Sequence, residues 1–171
     1  MSETKYCKRC DRTLPTEMFC KNKSNKDGLS FYCRDCRSEY GKQYRNRNKK
    51  NPEIIYKTLK WNAEYHNKSF NLDLDEFCEW YGIQDKNCGY CGIPEDKIPL
   101  FAEVYGGRDG RLSVDCKDNF VGYRIDNIVL ACDKCNSVKN NVLSYEQMCF
   151  IGENFIKPLW LELIPKESEA K

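Results

Sequence analysis

Apolar residues recur at helical spacing in the middle of the chain. Ile55, Leu59 and Ala63 fall four apart, the interval that stacks side chains on one face of an α-helix. Asn51-Pro52-Glu53 ahead of them is a helix start, with proline at the first position and an acid in the first turn. That helix is predicted to end near His66. A second opens at Leu72-Asp73-Leu74-Asp75-Glu76-Phe77, where Asp73 and Glu76 approximate a capping box and Leu72 and Phe77 a hydrophobic staple. It should run through Trp80-Tyr81 and stop at Gly82. Further on, Leu112 and Val114 alternate with polar residues and lead to Asp115 at the expected end of a strand. A turn-rich segment with Asp118, Asn119 and Gly122 follows, then a second apolar run, Ile128 to Ala131. Ser144 and Gln147 repeat the capping-box pattern and open a helix with Met148, Ile151 and Phe155 expected on one inward face. Residues 92–111, with Pro94, Pro99 and the Gly-rich run from Tyr105 to Arg111, read as a loop, and residues 161–171 as a frayed end.

The N-terminal third is different in kind. Residues 5–36 form two short arms around Gly28, each ending near a cysteine pair. From Asp35 to Lys50 the chain is polar and basic, and Tyr40 and Tyr44 share one face of a predicted helix. Arg37, Lys42, Arg45 and Arg47 on that segment are the candidate phosphate contacts. A merely solvated helix is the competing account.

Charge sharpens this contrast. The whole chain carries only +2, yet residues 1–60 hold 16 Lys/Arg against 7 Asp/Glu, and the remainder 12 against 19. A basic arm beside an acidic body suits a DNA-gripping segment joined to a metal-binding one. With 32% charged residues and a mean hydropathy of −0.77, the chain reads as soluble. It has no apolar run long enough to cross a membrane and no apolar leader, so a cytoplasmic (intracellular) location is expected.

Twelve cysteines are present, and eight stand in pairs at metal-ligand spacing: Cys7-x-x-Cys10, Cys33-x-x-Cys36, Cys88-x-x-Cys91 and Cys132-x-x-Cys135. Two pairs make one tetrahedral thiolate site, so two structural Zn²⁺ per chain are predicted. Cys20, Cys78 and Cys149 fall outside any motif and read as small buried apolar groups. The second zinc would pin strand, loop, strand and helix into one unit, with Asp115 and Asn136 facing each other across it. Both offer oxygen to a hard cation such as Mg²⁺. A zinc-stapled module without chemistry has no need of Asp115, Asn136 and Lys139 together.

The run Cys88-x-x-Cys91, Asp115, Gly122-Tyr123, Asn127 and Cys132-x-x-Cys135-Asn136-x-x-Lys139 resembles the HNH (ββα-metal) nucleases. Trp80-Tyr81-Gly82, Cys88-Gly-Tyr-Cys91 and the N-terminal four-cysteine module are similar to restriction-type members of that family. The resemblance implies a small α+β fold: a zinc-stabilised ββα-metal core with an N-terminal zinc module and surrounding helices. It implies a metal-dependent, sequence-specific endonuclease that cuts double-stranded DNA as a homodimer. Its metal-site residues fall on Asp115 and Asn136, with His66 as a further ligand, its catalytic tyrosine on Tyr81 and its histidine on His66. Lys139 would contact the DNA backbone. One position departs: where most of the family has His after the Asp, and the restriction-type pattern Arg, this chain has Cys116.

That departure leaves the general base open. The chain has one histidine, and it is not beside Asp115. Water activation falls to His66, Tyr81, Cys116 or the metal itself, with Lys117 or Arg124 as alternatives. Two rival readings are a zinc-stabilised DNA-binding protein that has lost catalysis through Cys116, and a monomeric nicking or homing HNH nuclease. The predicted segments are residues 1–50, zinc module and basic helix; 51–87, the helical part with His66 and Tyr81; 88–143, the nuclease core; and 144–171, the C-terminal helix and tail.

Overall fold

The computed structural model describes residues 3–107 and 110–163. The chain divides into two compact units, residues 1–48 and 49–171; Lys50 therefore belongs with the second unit rather than the basic helix.

The first unit is two hairpins and a helix. Strands β1 (Thr4–Cys7) and β2 (Arg12–Pro15) pair antiparallel, as do β3 (Phe19–Lys21) and β4 (Leu29–Cys33). Helix α1 (Arg34–Asn48) begins inside the last cysteine pair, directly after Cys33, and carries Cys36 in its first turn. Among its described residues, Cys7, Phe19 and Cys33 form the buried apolar centre of this unit. That is far too little apolar area to order a chain of this length, so the sulfur cluster must carry the fold. Helix α1 buries none of its residues.

The second unit is built on α2 (Pro52–Tyr65) and α3 (Leu74–Ile83). Asn51 caps α2 by accepting from the N–H groups of Glu53 and Ile54, and Asp73 caps α3 by accepting from Asp75 and Glu76. Ile55, Leu59 and Ala63 are the buried face of α2. Helix α3 ends at Ile83, one residue past the expected stop at Gly82. Residues 92–111 are not a plain loop: a 3₁₀ turn (Glu95–Lys97) runs into α4 (Ile98–Tyr105). Pro99 sits in the first turn, where no N–H is needed, and Ile98 and Phe101 are buried. Arg108 and Asp109 of the Gly-rich run, and residues 164–171 of the tail, lie outside the described residues.

Next come β5 (Ser113–Cys116), β6 (Ile128–Ala131) and α5 (Asp133–Lys139). The strands pair antiparallel from Ser113 opposite Ala131 to Cys116 opposite Ile128, giving a ββα unit. Helix α6 (Tyr145–Ile151) begins at Ser144 with a true capping box to Gln147. A π-helical turn over Gly152–Ile156 then passes into α7 (Lys157–Leu161). The π turn adds a residue and shifts the helix phase: Ile156 is buried, and Phe155, expected inside, is 62% exposed. These helices clamp the Cys88–Cys91 knuckle. The Trp160 indole N–H donates to Cys91 O at 3.0 Å, and Gly152 lies so close to the Tyr90 carbonyl that a Cβ would overlap it. Cys20, Cys78 and Cys149 are only half-buried, not core residues. Among the described residues no helix is long and apolar enough to cross a membrane.

Candidate active site

Each group of four cysteines converges. The ligand sulfurs of Cys7, Cys10, Cys33 and Cys36, and those of Cys88, Cys91, Cys132 and Cys135, lie within 4.8 Å of one another. Cys91 Sγ and Cys132 Sγ are 3.9 Å apart. A tetrahedron with Zn–S bonds of about 2.3 Å has edges of about 3.8 Å, so the geometry fits zinc; none of the twelve cysteines is in a disulfide. Backbone N–H groups point at the sulfurs: Cys33 at Cys7 (3.3 Å), Cys132 at Cys88 (3.3 Å) and Cys135 at Cys132 (3.4 Å). Burial opposes ionisation of Cys7, but the N–H groups of Cys10, Cys33 and Arg9 bring its thiol down to about 6. Neighbouring Cys132, Cys135 and Cys91 hold Cys88 well below the ordinary thiol range, while Cys91 and Cys135 are pushed above it. Four thiols this close cannot all ionise unless a cation takes up their charge.

The second cluster aims the ββα unit at an open polar cleft of about 650 Å³. His66, Asp115, Tyr123 and Asn136 all line it, with Lys68, Asn119 and Asn140 at its margin. Strand β5 delivers Asp115, α5 delivers Asn136, and the end of α2 delivers His66. The third placement depends on a backbone seam. Tyr123 N–H donates to Ser69 O and Asn71 N–H to Tyr123 O, each at 2.9 Å. Gly122 permits the approach: its φ is +78°, and a Cβ there would overlap the Ser69 carbonyl. Asn127 holds the other side of this loop. Its amide donates to the carbonyls of Asp118 (2.8 Å) and Gly122 (2.7 Å) and accepts from Asp118 N–H (3.0 Å). The Gly-Tyr…Asn part of the motif is thus a device for shaping the loop.

Asp115 is nearly buried. Its Oδ2 accepts from the Tyr90 hydroxyl at 2.8 Å and lies 3.5 Å from Lys139 Nζ. Asn136 donates its amide N–H to Ser113 Oγ at 3.2 Å, which leaves its oxygen for the cleft. Carboxylate and amide oxygen suit a hard divalent cation with open positions, and the His66 imidazole faces the same cleft.

Tyr90 was missed by sequence reasoning, which saw only the residue between two zinc ligands. Burial and the Asp115 charge push its phenol well above the ordinary range, so it remains a donor to the carboxylate. Tyr123 is also raised, to about 12, by burial and by Cys116 and Asp115. Tyr81, the expected catalytic tyrosine, does not line the cleft. It is packed in the core against Phe77, with the Lys86 ammonium 4.0 Å from its ring centre. Burial and Glu95 raise its phenol. Lys139, expected against a DNA backbone, is 0% exposed and has no hydrogen-bond partner among the described residues. Cys116 is buried at the end of β5, and burial pushes its thiol up to about 11; it is neutral at pH 7. Arg37, Lys42, Arg45 and Arg47 are all exposed on α1 of the first unit.

No protein-family model matches the chain. It is 32% identical over 90 residues to an uncharacterized protein of Acanthamoeba polyphaga mimivirus, a match covering 52% of this chain and only 14% of that protein. Among solved structures it is similar to the rare-cutting HNH restriction endonuclease PacI. The sequences are 27% identical, the TM-score is 0.56, and the match covers 95% of this chain and 97% of PacI. The chain has an HNH-like α+β fold with two four-cysteine clusters compatible with zinc.

Proposed function

We propose that this chain is a metal-dependent, HNH-type endonuclease that hydrolyses phosphodiester bonds in double-stranded DNA. The observation that carries the reading is the convergence of His66, Asp115 and Asn136 on one open cleft, beside a sulfur cluster that fixes the ββα unit. The likeness to PacI, a rare-cutting restriction enzyme, supports sequence-specific cutting. Action as a homodimer belongs to the same proposal, since two strands are cut most simply by two copies. Mg²⁺ is the cation that the oxygen donors suit.

Asp115 and Asn136 would hold that cation through oxygen, leaving the His66 imidazole unbound. When bound, it supplies Lewis-acid stabilisation of charge on the phosphate and the leaving oxygen. Tyr90 fixes the orientation of the Asp115 carboxylate through its 2.8 Å hydrogen bond. The imidazole of His66, exposed on the cleft wall, is the group available to accept a proton from an attacking water. Cys116 is a neutral buried thiol in place of the family's usual histidine and cannot serve as that base. The exposed basic residues of α1 would add sequence-independent phosphate contacts.

A second reading, DNA binding without cleavage, is favoured by Cys116 alone. One experiment separates them: zinc-loaded protein is incubated with a long defined DNA, with and without added Mg²⁺, beside Asp115→Asn. Discrete Mg²⁺-dependent fragments, absent with Asp115→Asn, are expected. A shifted but uncut DNA would overturn the nuclease reading, and a smear would remove its sequence specificity.

A further inference from the structure

Trp61 and Tyr65 lie one turn apart on α2, and their rings are stacked, with centroids 5.5 Å apart and planes at 17°. They are 62% and 72% exposed. The inward face of this helix is Ile55, Leu59 and Ala63, so the pair adds little to the core while holding two large aromatic faces in water. Its position has a second feature. The Tyr65 ring meets His66 edge-on, at 5.0 Å and 89°, and His66 lines the cleft. The aromatic run therefore leads from the open helix face to the cleft wall. Lysines flank it: residues 57–68 contain Lys57, Lys60 and Lys68 against Glu64, with Lys57 paired to Glu53 at 3.7 Å. Lys68 is fixed at the cleft margin by a 3.1 Å hydrogen bond to Asn119 Oδ1.

We propose that the Trp61–Tyr65 pair is a stacking platform for the bases of a DNA strand entering the Asp115 cleft, which rests on the nuclease reading above. Every base has a π-face, so aromatic stacking holds a strand without reading its sequence, while adjacent lysines take the phosphates. The platform requires the face of a base to be exposed. It therefore favours unpaired or frayed segments over blunt duplex. Tyr65 couples this surface to His66, so a seated base places its strand beside the residues that act on the phosphate.

The test uses the full zinc-loaded chain without Mg²⁺, titrated with oligothymidylate and with a blunt duplex. Of the three tryptophans, Trp61 is the exposed one; Trp80 is half-buried and Trp160 buried. Oligothymidylate should quench tryptophan emission, and the quenching should vanish in Trp61→Phe. Trp61→Ala and Tyr65→Ala should each weaken oligothymidylate binding roughly 5- to 150-fold, the range of one stacked base, and duplex binding much less. Trp61→Phe, which keeps a ring, should retain most of the affinity. Unquenched emission with unchanged affinity in Trp61→Ala would overturn the platform. So would a self-association lost in Trp61→Ala, which would give the surface to a second copy of the chain. Cleavage assayed on the same proteins separates the two ideas. Cutting without quenching removes the platform alone; quenching without cutting leaves it on a DNA-binding protein.

Discussion

Lys139 Nζ lies 3.5 Å from Asp115 Oδ2, fully buried and without a hydrogen bond to any described residue. A buried ammonium with one carboxylate for a neighbour is costly to leave alone, because removing that carboxylate strands the charge. Asp115→Asn should destabilise the protein by about 3 kcal/mol, beyond any effect on cleavage. Asp115→Asn with Lys139→Met should recover most of that loss, since no charge then stays unpaired. Urea unfolding of the four proteins, all zinc-loaded, gives the coupling. Additive effects of the two substitutions would show that the pair is not an interacting unit.

The two tyrosines make opposite predictions. Tyr90 donates to Asp115, while Tyr81 stacks on Phe77 away from the cleft lining. A hydrogen bond to a charged group contributes about 1.5–3 kcal/mol, so Tyr90→Phe should lower the cleavage rate by roughly 10- to 100-fold. Tyr81→Phe should stay within about threefold of the parent, under 1 kcal/mol. Single-turnover cleavage at saturating Mg²⁺ measures both. Loss confined to Tyr81→Phe would restore the assignment made from the Trp-Tyr-Gly match.

What the sequence disclosed and what it withheld divide along a physical line. The cysteine pairs, the strands that carry Asp115 and Ala131, and the caps at Asn51, Asp73 and Ser144 are set by local spacing and local hydrogen bonds. They were legible for that reason. Helix α4 was hidden because Pro94 and Pro99 signal a break, although proline in a first turn breaks nothing. Phe155 was misplaced because the π turn over Gly152–Ile156 has no signature in a 3.6-residue pattern. Tyr90 and Lys139 needed the tertiary fold. One lies inside a zinc knuckle and the other on a short helix, and only packing reveals that both reach Asp115. The stacked Trp61 and Tyr65 fall outside the Ile55–Leu59–Ala63 stripe, but spacing does not say that two exposed rings stack on each other.

Gly122 offers a test of how His66 is placed. Its φ of +78° and the Ser69 carbonyl against it leave no room for a side chain. Gly122→Ala should cost about 1–3 kcal/mol in backbone strain and loosen the Ser69–Tyr123 seam that holds the segment after His66. Cleavage should fall by more than stability alone explains, and hydrogen exchange at Asn71 and Tyr123 should quicken. Full activity in a folded Gly122→Ala protein would mean that the seam does not position His66.

Removing zinc should affect the two units unequally. The first has three buried residues at its centre, two of them cluster cysteines, so without metal nothing offsets the entropy of ordering its backbone. Binding of zinc there is its folding reaction, as in small zinc modules generally. The second unit has a true apolar core of Ile55, Phe77, Leu112, Leu130, Met148 and others, in which the four cluster cysteines are a minority. Metal analysis should return two zinc ions per chain. Chelation should unfold residues 1–48 completely while α2, α3 and their core retain helical circular dichroism. Loss of the second zinc should still abolish cleavage, because Cys88, Cys91, Cys132 and Cys135 tie the Tyr90 knuckle to the ββα unit that carries Asp115 and Asn136. Cys91→Ser should reproduce that result with the first zinc retained. An active Cys91→Ser protein containing one zinc would show that the cleft is organised by the apolar core alone.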